Sequence, residues 1–256
     1  MKASLFTSCV VDALFPNVPI AMTEILERFG VEVLLPEKQV CCGQPTLNSG
    51  YREASKKVII NQMEAFKDAD YIVGAAGSCT AIFKEYAEFF KDDPKYRQMA
   101  EELSAKTYEF TQFLHYVLGL TDVGATLNAK VTYHRSCHMT RILKEKQTPF
   151  IMMNHVKGLE YIEIPHIENC CGFGGTFSVK EPLISNAMVT EKMNDIISTN
   201  AEVLISADMA CLMNIGGKFN REGKKIKIMH IAEVLNHDVD EKRVKAILEA
   251  QKQGAK

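Results

Sequence analysis

Val31-Glu32-Val33-Leu34-Leu35-Pro36 runs through Glu37, Lys38, Gln39 and Val40 into Cys41-Cys42-Gly43. Leu159-Glu160-Tyr161-Ile162-Glu163-Ile164-Pro165 runs through His166, Ile167, Glu168 and Asn169 into Cys170-Cys171-Gly172. A short β-prone run, a proline and a Cys-Cys-Gly turn thus occur twice in the same order. Internal repetition constrains a fold more strongly than any single propensity. The cysteines around the two stretches repeat as well. Cys9 precedes Cys41 by 32 positions and Cys79 follows Cys42 by 37, while Cys137 precedes Cys170 by 33 and Cys211 follows Cys171 by 40. Equivalent cysteines lie 128, 129 and 132 residues apart, which marks a tandem duplication.

Each half opens on a β-prone run that ends at a cysteine, residues 3–9 and 130–137. In the first half Val18, Met22, Ile25, Leu26 and Phe29 then fall at helical spacing. Helices are expected to begin near Arg52 and Pro182, and third strands at 71–75 and 202–207 lead to Cys79 and Cys211. Fourth strands near Tyr108 and Ile226 precede the related segments 109–114 and 230–235. Strands alternating with helices imply parallel pairing through right-handed crossovers. The fold class is therefore α/β, two tandem pseudo-repeated small parallel-sheet domains. Their expected extents are 1–120 and 130–240, with 119–129 as the linker and 241–256 as a last helix and tail that frays over 251–256.

The chain has 256 residues, 46% hydrophobic and 24% charged, with a formal net charge of −2. That balance belongs to a globular protein and argues against nucleic acid as a partner, since phosphate binding wants a basic excess. The basic stretch 218–227 reads as a solvated loop before a strand. No apolar run reaches the roughly 18 residues of a membrane span. The first residues read into a strand rather than a signal-peptide core, so a cytoplasmic protein with reduced thiols is expected.

Eight cysteines in such a compartment point to ligands. In an open parallel sheet the carboxyl ends of neighbouring strands meet at one edge, where ligands bind. Cys9, Cys41, Cys42 and Cys79 should converge there in the first half, and Cys137, Cys170, Cys171 and Cys211 in the second. Four thiolates suffice for an iron–sulfur cluster. Gly43, Gly172, Gly174 and Gly175 would let the backbone approach such a group, and helix N-termini would favour its negative charge. Structural zinc also uses four cysteines, although two C-x₂₋₄-C pairs wrap a single ion more readily than adjacent cysteines do. Buried inert thiols and a vicinal disulfide switch are the other readings of these residues.

The segments Cys9-Val10-Val11-Asp12-Ala13-Leu14-Phe15-Pro16, Cys41-Cys42-Gly43-Gln44-Pro45, Asn48-Ser49-Gly50-Tyr51 and Gly77-Ser78-Cys79 carry a resemblance. Tyr133-His134-Arg135-Ser136-Cys137-His138 and Cys170-Cys171-Gly172-Phe173-Gly174-Gly175 carry it in the second half. The chain resembles, over nearly its whole length, the cysteine-rich-domain family. That family includes a component of heterodisulfide reductase, the iron–sulfur component of glycolate oxidase and a component of anaerobic glycerol-3-phosphate dehydrogenase. Within it the likeness is strongest to members serving lactate utilization. The resemblance implies an iron–sulfur subunit of a cytoplasmic complex oxidising L-lactate to pyruvate, with two companion subunits, one of them ferredoxin-like. The heterodisulfide reductase pattern ends each motif in Cys-x-x-Cys. Here Cys79 meets Ala76 and Ile82 at the two partner positions, and Cys211 meets Asp208 and Asn214. Each half therefore offers four thiolates, which favours one 4Fe-4S cubane per repeat over a five-ligand non-cubane cluster.

His134 and His138 flank Cys137 and could be ligands or proton donors, although a histidine at a strand end is more often a hydrogen-bonded structural group. Asp208 could replace a thiolate or serve at the surface as a helix cap. Phe173 and its glycine neighbours lack the G-x-G-x-x-G spacing of a phosphate loop, and the twelve methionines read as core filler. No flavin fingerprint is present, so the reading is of an electron-transfer subunit with no catalytic residue assigned. Two rivals remain: a cluster enzyme that cleaves a disulfide substrate directly, as heterodisulfide reductase does, and a zinc-stabilised interaction module.

Overall fold

In the first half, Lys2–Phe6 (β1), Glu32–Leu34 (β2), Ile72–Gly74 (β3) and Thr107–Glu109 (β4) form a parallel sheet in the order β2-β1-β3-β4. In the second, Thr126–Tyr133 (β5), Lys157–Tyr161 (β6), Val203–Ser206 (β7) and Lys227–His230 (β8) repeat that order as β6-β5-β7-β8. The computed structural model describes residues 1–254. The inner strands β3 and β7 are buried at every position, and β1 is buried from its second residue onward. Strands covered by helices on both faces carry such continuous apolar runs. The edge strands β2 and β6 are exposed or half-buried along their length.

The connecting helices follow from the apolar periodicity. Cys9–Leu14 (α1) and Asn17–Arg28 (α2) follow β1, and α2 buries Val18, Met22, Ile25 and Leu26 on one face. Gln44–Asn48 (α3) and Arg52–Ala65 (α4) lead to β3, then Gly77–Glu85 (α5) and Pro94–Ala105 (α6) to β4, which runs into the short Phe110–Gln112 (α7). The second half repeats this with Cys137–Arg141 (α8), Thr148–Met153 (α9), Phe177–Lys180 (α10), Pro182–Ser198 (α11), Met209–Arg221 (α12) and Ile231–Leu235 (α13). Glu241–Gly254 (α14) closes the chain. The starts of α4 and α11 coincide with the positions expected from sequence.

Three local expectations are corrected. β5 starts at Thr126, inside the stretch read as a linker, because Thr126 pairs with Lys157 and Leu127 is buried. The basic stretch is not a loop throughout: Lys218–Arg221 belongs to α12, and the buried Lys218 holds Glu222 at 2.6 Å. Nor does helical structure give way at Gln251. α14 continues to Gly254, with Gln251 Nε2 donating to the Leu118 carbonyl at 2.8 Å, and residues 255 and 256 lie outside the described residues.

The two halves share a core. One buried cluster runs from Leu5, Met22, Ile25 and Phe113 of the first half to Val131, Met139, Leu204 and Ile231 of the second. A smaller cluster around Phe6, Phe66, Phe83 and Tyr86 belongs to the first half alone. The packing between halves is pseudo-symmetric. α1 meets α12 as α5 meets α8, and α2 meets α13 as α7 meets α9. The repeat thus faces itself across an approximate twofold, with the carboxyl ends of both sheets turned inward.

The outer strands end alike. Glu109 and His230 each accept from the backbone of the next turn while Gln112 and Glu233 reach back, a capping box in both halves. Both capping residues are fully buried. Burial raises the Glu109 carboxyl to about 7, against the N–H and hydroxyl donors of Thr111 and Gln112, and lowers His230 to about 4. A carboxyl raised from 4.5 to about 7 holds its proton longer in the folded state. Its contribution to stability is therefore complete below about pH 4.5 and lost as pH rises through about 7. Glu109→Gln should flatten that decline, as measured by Tm against pH, and an unchanged slope would refute the assignment.

Candidate metal centre

Cys9 and Cys137 open α1 and α8 directly after β1 and β5, and Cys79 and Cys211 lie in the first turns of α5 and α12, beyond β3 and β7. These strand pairs are the ones between which the strand order reverses, the switch point where open α/β sheets bind ligands. Four helix N-termini consequently stand at the cysteines, where their positive dipole ends offset negative charge at the edge. The Cys-Cys-Gly turns reach over the same edge from beyond β2 and β6. Gly43 and Gly172 turn there with φ of +88° and +81°. A Cβ at Gly172 would also meet the Ser185 carbonyl of α11 at 2.7 Å, so turn and helix approach both require glycine.

Unlike residues support the two turns in the same way. The Tyr86 hydroxyl donates to the Cys42 carbonyl at 2.8 Å, and Asn214 Nδ2 donates to the Cys171 carbonyl at 2.8 Å. Gln62 accepts from the Val40 N–H at 2.6 Å, and the buried Lys192 Nζ donates to the His166 carbonyl at 2.9 Å. Sequence reading passed over Gln62 and Lys192. The available signal was a polar residue on the otherwise apolar face of α4 and α11.

Within each set the thiols form a chain of contacts. Cys9 Sγ lies 3.9 Å from Cys41 Sγ, Cys41 touches Cys42 and Cys42 touches Cys79. Cys137, Cys170, Cys171 and Cys211 repeat the chain. Contact with Cys42 and then Cys9, helped by the Gly43 N–H, lowers Cys41 to about 3. Contact with Cys137 and then Cys171, helped by the Gly172 N–H, lowers Cys170 to about 2. Cys9, Cys42, Cys137 and Cys171 are raised, first by their thiol neighbours and then by burial. Cys211 is lowered by Cys171 but raised overall by burial and by the Asp208 carboxylate. In each set the contacts thus favour the thiolate of Cys41 or Cys170 while Cys9, Cys42, Cys137, Cys171 and Cys211 are held toward the protonated thiol, so that losing those protons needs a further drive. A bound metal supplies that drive, since coordination deprotonates a thiol outright. All eight cysteines are free thiols, and no disulfide joins a vicinal pair.

The two sets share one cleft, partly open to solvent, lined by all eight cysteines together with Gly174, Gly175 and Asp208. Gly43 and Gly172, unlike Gly174 and Gly175, are not among its lining residues. At the cleft the segments that follow the two Cys-Cys-Gly turns meet: Ser49 and Thr176 hydroxyls are 2.5 Å apart, and Asn48 Nδ2 donates to the Gly174 carbonyl at 3.5 Å. Also between the halves, the Gly77 N–H donates to the Ala207 carbonyl at 2.9 Å, and the Ser78 N–H to Asp208 Oδ2 at 2.9 Å. Asp208 is buried rather than at the surface. It stands at the start of its own helix α12, yet its side chain caps α5 of the other half and accepts from the Ser136 hydroxyl at 3.2 Å.

His138 Nδ1 lies 3.4 Å from Cys137 Sγ at the cleft lining. His134 is fully buried, and contrary to the structural role expected of it, neither ring nitrogen has a hydrogen-bond partner among the described residues. Burial, then the Lys192 charge, lowers it to about 3 and holds the ring neutral. One of its nitrogens and the Sγ atoms of Cys171 and Cys211 all lie within 4.8 Å of one another, a donor set of the kind that binds metal.

A tandem α/β protein with two sets of four thiols on one cleft defines a class of metal-binding cysteine-rich proteins. The family model of the cysteine-rich domain matches residues 3–84 and again 131–216, and the chain belongs to this family. It is 54% identical over 236 residues to lactate utilization protein A of Bacillus subtilis (strain 168), covering 92% of this chain and 99% of that protein. The protein of the same name from Geobacillus thermodenitrificans (strain NG80-2) is 54% identical over 237 residues, covering 93% and 99%. Among solved structures, glutamate racemase RacE1 from Bacillus anthracis aligns over 98% of this chain and 82% of its own, at 10% identity and a TM-score of 0.37, too slight a likeness to argue from.

The thiol chemistry is directly testable. In metal-free protein at about pH 5.5, iodoacetamide should alkylate Cys41 and Cys170 first, because the thiolate is the nucleophile. Cys9 is the most exposed of the eight yet should react later. Peptide mass spectrometry gives the order, and Cys9 reacting ahead of Cys41 would show that access rather than charge governs the site.

Proposed function

We propose that the chain is an iron–sulfur electron-transfer subunit of a cytoplasmic complex that oxidises L-lactate to pyruvate, holding one 4Fe-4S cluster per repeat and working with companion subunits, one of them ferredoxin-like. The observation that carries this reading is the convergence of two sets of four thiols on one cleft at the sheets' switch points. The lactate role rests on the names of relatives that match along nearly their full length. Among the described residues no helix is long and apolar enough to cross a membrane.

When bound, such a cluster accepts and releases electrons singly, at a potential set by its surroundings. Cys9, Cys41, Cys42 and Cys79 would hold one, and Cys137, Cys170, Cys171 and Cys211 the other. Helix N-termini and the N–H groups of Gly43 and Gly172 offset thiolate charge, and the buried Lys192, whose pKa burial lowers, lies close enough to Cys170 and Cys171 to interact with them. Gly174 and Gly175 bring backbone to the cleft without side chains. Because both sets face one cleft, electrons could pass between them without leaving the protein.

Oxidising a 2-hydroxy acid also needs a base for the hydroxyl proton and an acceptor for hydride or its equivalent. Nothing in the chain announces a flavin or nicotinamide site, so that chemistry belongs to a partner or a shared interface. Anaerobically purified protein should be brown, bleach with dithionite and contain iron and sulfide. Colourless protein containing zinc would refute the cluster assignment. Cys42→Ser should remove roughly half the iron, the share of one of two clusters. The cluster-replete chain alone, given L-lactate and an artificial acceptor, should form no pyruvate, and sustained turnover would make this the catalytic subunit.

A further inference from the structure

The two cysteine sets match thiol for thiol but differ in what stands behind them. Three positions before Cys9, Phe6 ends β1 with its ring packed on Phe83 at 4.7 Å and on Phe66 at 6.0 Å. Three positions before Cys137, the residue is His134. Its ring is fully buried, both nitrogens lack a partner among the described residues, and one of them lies with Cys171 Sγ and Cys211 Sγ inside a 4.8 Å circle. A buried polar ring without partners is costly wherever it occurs, and an unsatisfied group in a native structure calls for a reason. Packing does not supply one, since the first half fills the same position with an apolar ring.

We propose that His134 is a nitrogen donor to the metal group of the second cysteine set, taking the place of one of its four thiolates, so that the first site has four thiolates and the second has three thiolates and an imidazole. The assignment rests on the iron–sulfur reading above and deepens it. Imidazole is an established ligand of iron in clusters otherwise held by thiolates, and as a neutral donor it leaves less negative charge on the metal. The ring is fully buried and is not part of the cleft lining, so it meets the Cys171 and Cys211 thiols from within the protein. His138 does not compete for the role. It sits at the cleft lining beside Cys137 rather than between Cys171 and Cys211.

The test uses the full chain loaded anaerobically with iron and sulfide, once with ring-¹⁵N histidine and once at natural abundance. Pulsed EPR of the reduced protein should show a histidine nitrogen coupling that changes with the isotope. The coupling should be lost in His134→Phe, which copies the first half, and in the smaller His134→Ala, and kept in His138→Gln. A loaded wild-type chain with no isotope-sensitive coupling overturns the histidine assignment and leaves the cluster reading standing, as does a coupling that survives in either His134 variant. A chain that takes up no iron and sulfide overturns the cluster reading itself, and this assignment falls with it.

Discussion

Two hydrogen bonds between the halves, from the Gly77 N–H to the Ala207 carbonyl and from the Ser78 N–H to Asp208, set the geometry on which everything else depends. They hold the N-terminus of α5 against the end of β7 and so turn two switch points toward each other. The approach is close: a Cβ at Gly77 would meet Met139 Cβ and Sδ at 2.9 Å. A helix cap of this kind contributes on the order of 1 kcal/mol. Its larger effect is positional. It fixes the register in which the shared core brings the two cysteine sites together as walls of one cleft.

The fold was largely legible because the repeat doubles every signal. The Cys-Cys-Gly turns, the prolines before them and the starts of α4 and α11 each occur twice, so an ambiguous stretch in one half could be read against its equivalent. The end of the linker was misread because β5 begins irregularly, with a register shift between Thr126 and Ala129, and its polar residues do not alternate cleanly. Lys218 was placed in a solvated loop because composition alone cannot show that Asn186 and Glu222 receive its ammonium.

The site was legible as eight cysteines and not as one cleft. Spacing within a half predicts convergence at a sheet edge, since parallel pairing fixes where strands end. No spacing predicts how one half packs on the other, because that depends on which apolar faces α2, α7, α9 and α13 leave for each other. The roles of Asp208 and His134 were hidden for the same reason. Asp208 was expected to cap its own helix or face solvent, and it caps its neighbour's. His134 was expected to be hydrogen-bonded, and it stands unpartnered behind two thiols.

The capping of α5 by Asp208 also orders events during synthesis. The carboxylate is made 130 residues after the N–H it receives. The first repeat therefore leaves the ribosome with that helix end open and no opposite wall for its cysteines. A chain ending after the first repeat would carry half the cysteines on an exposed face. The cleft with both its walls comes into being only when the last strands of the second sheet have been translated and docked, so the moment at which the two cysteine sets can face each other is written into the order of the gene.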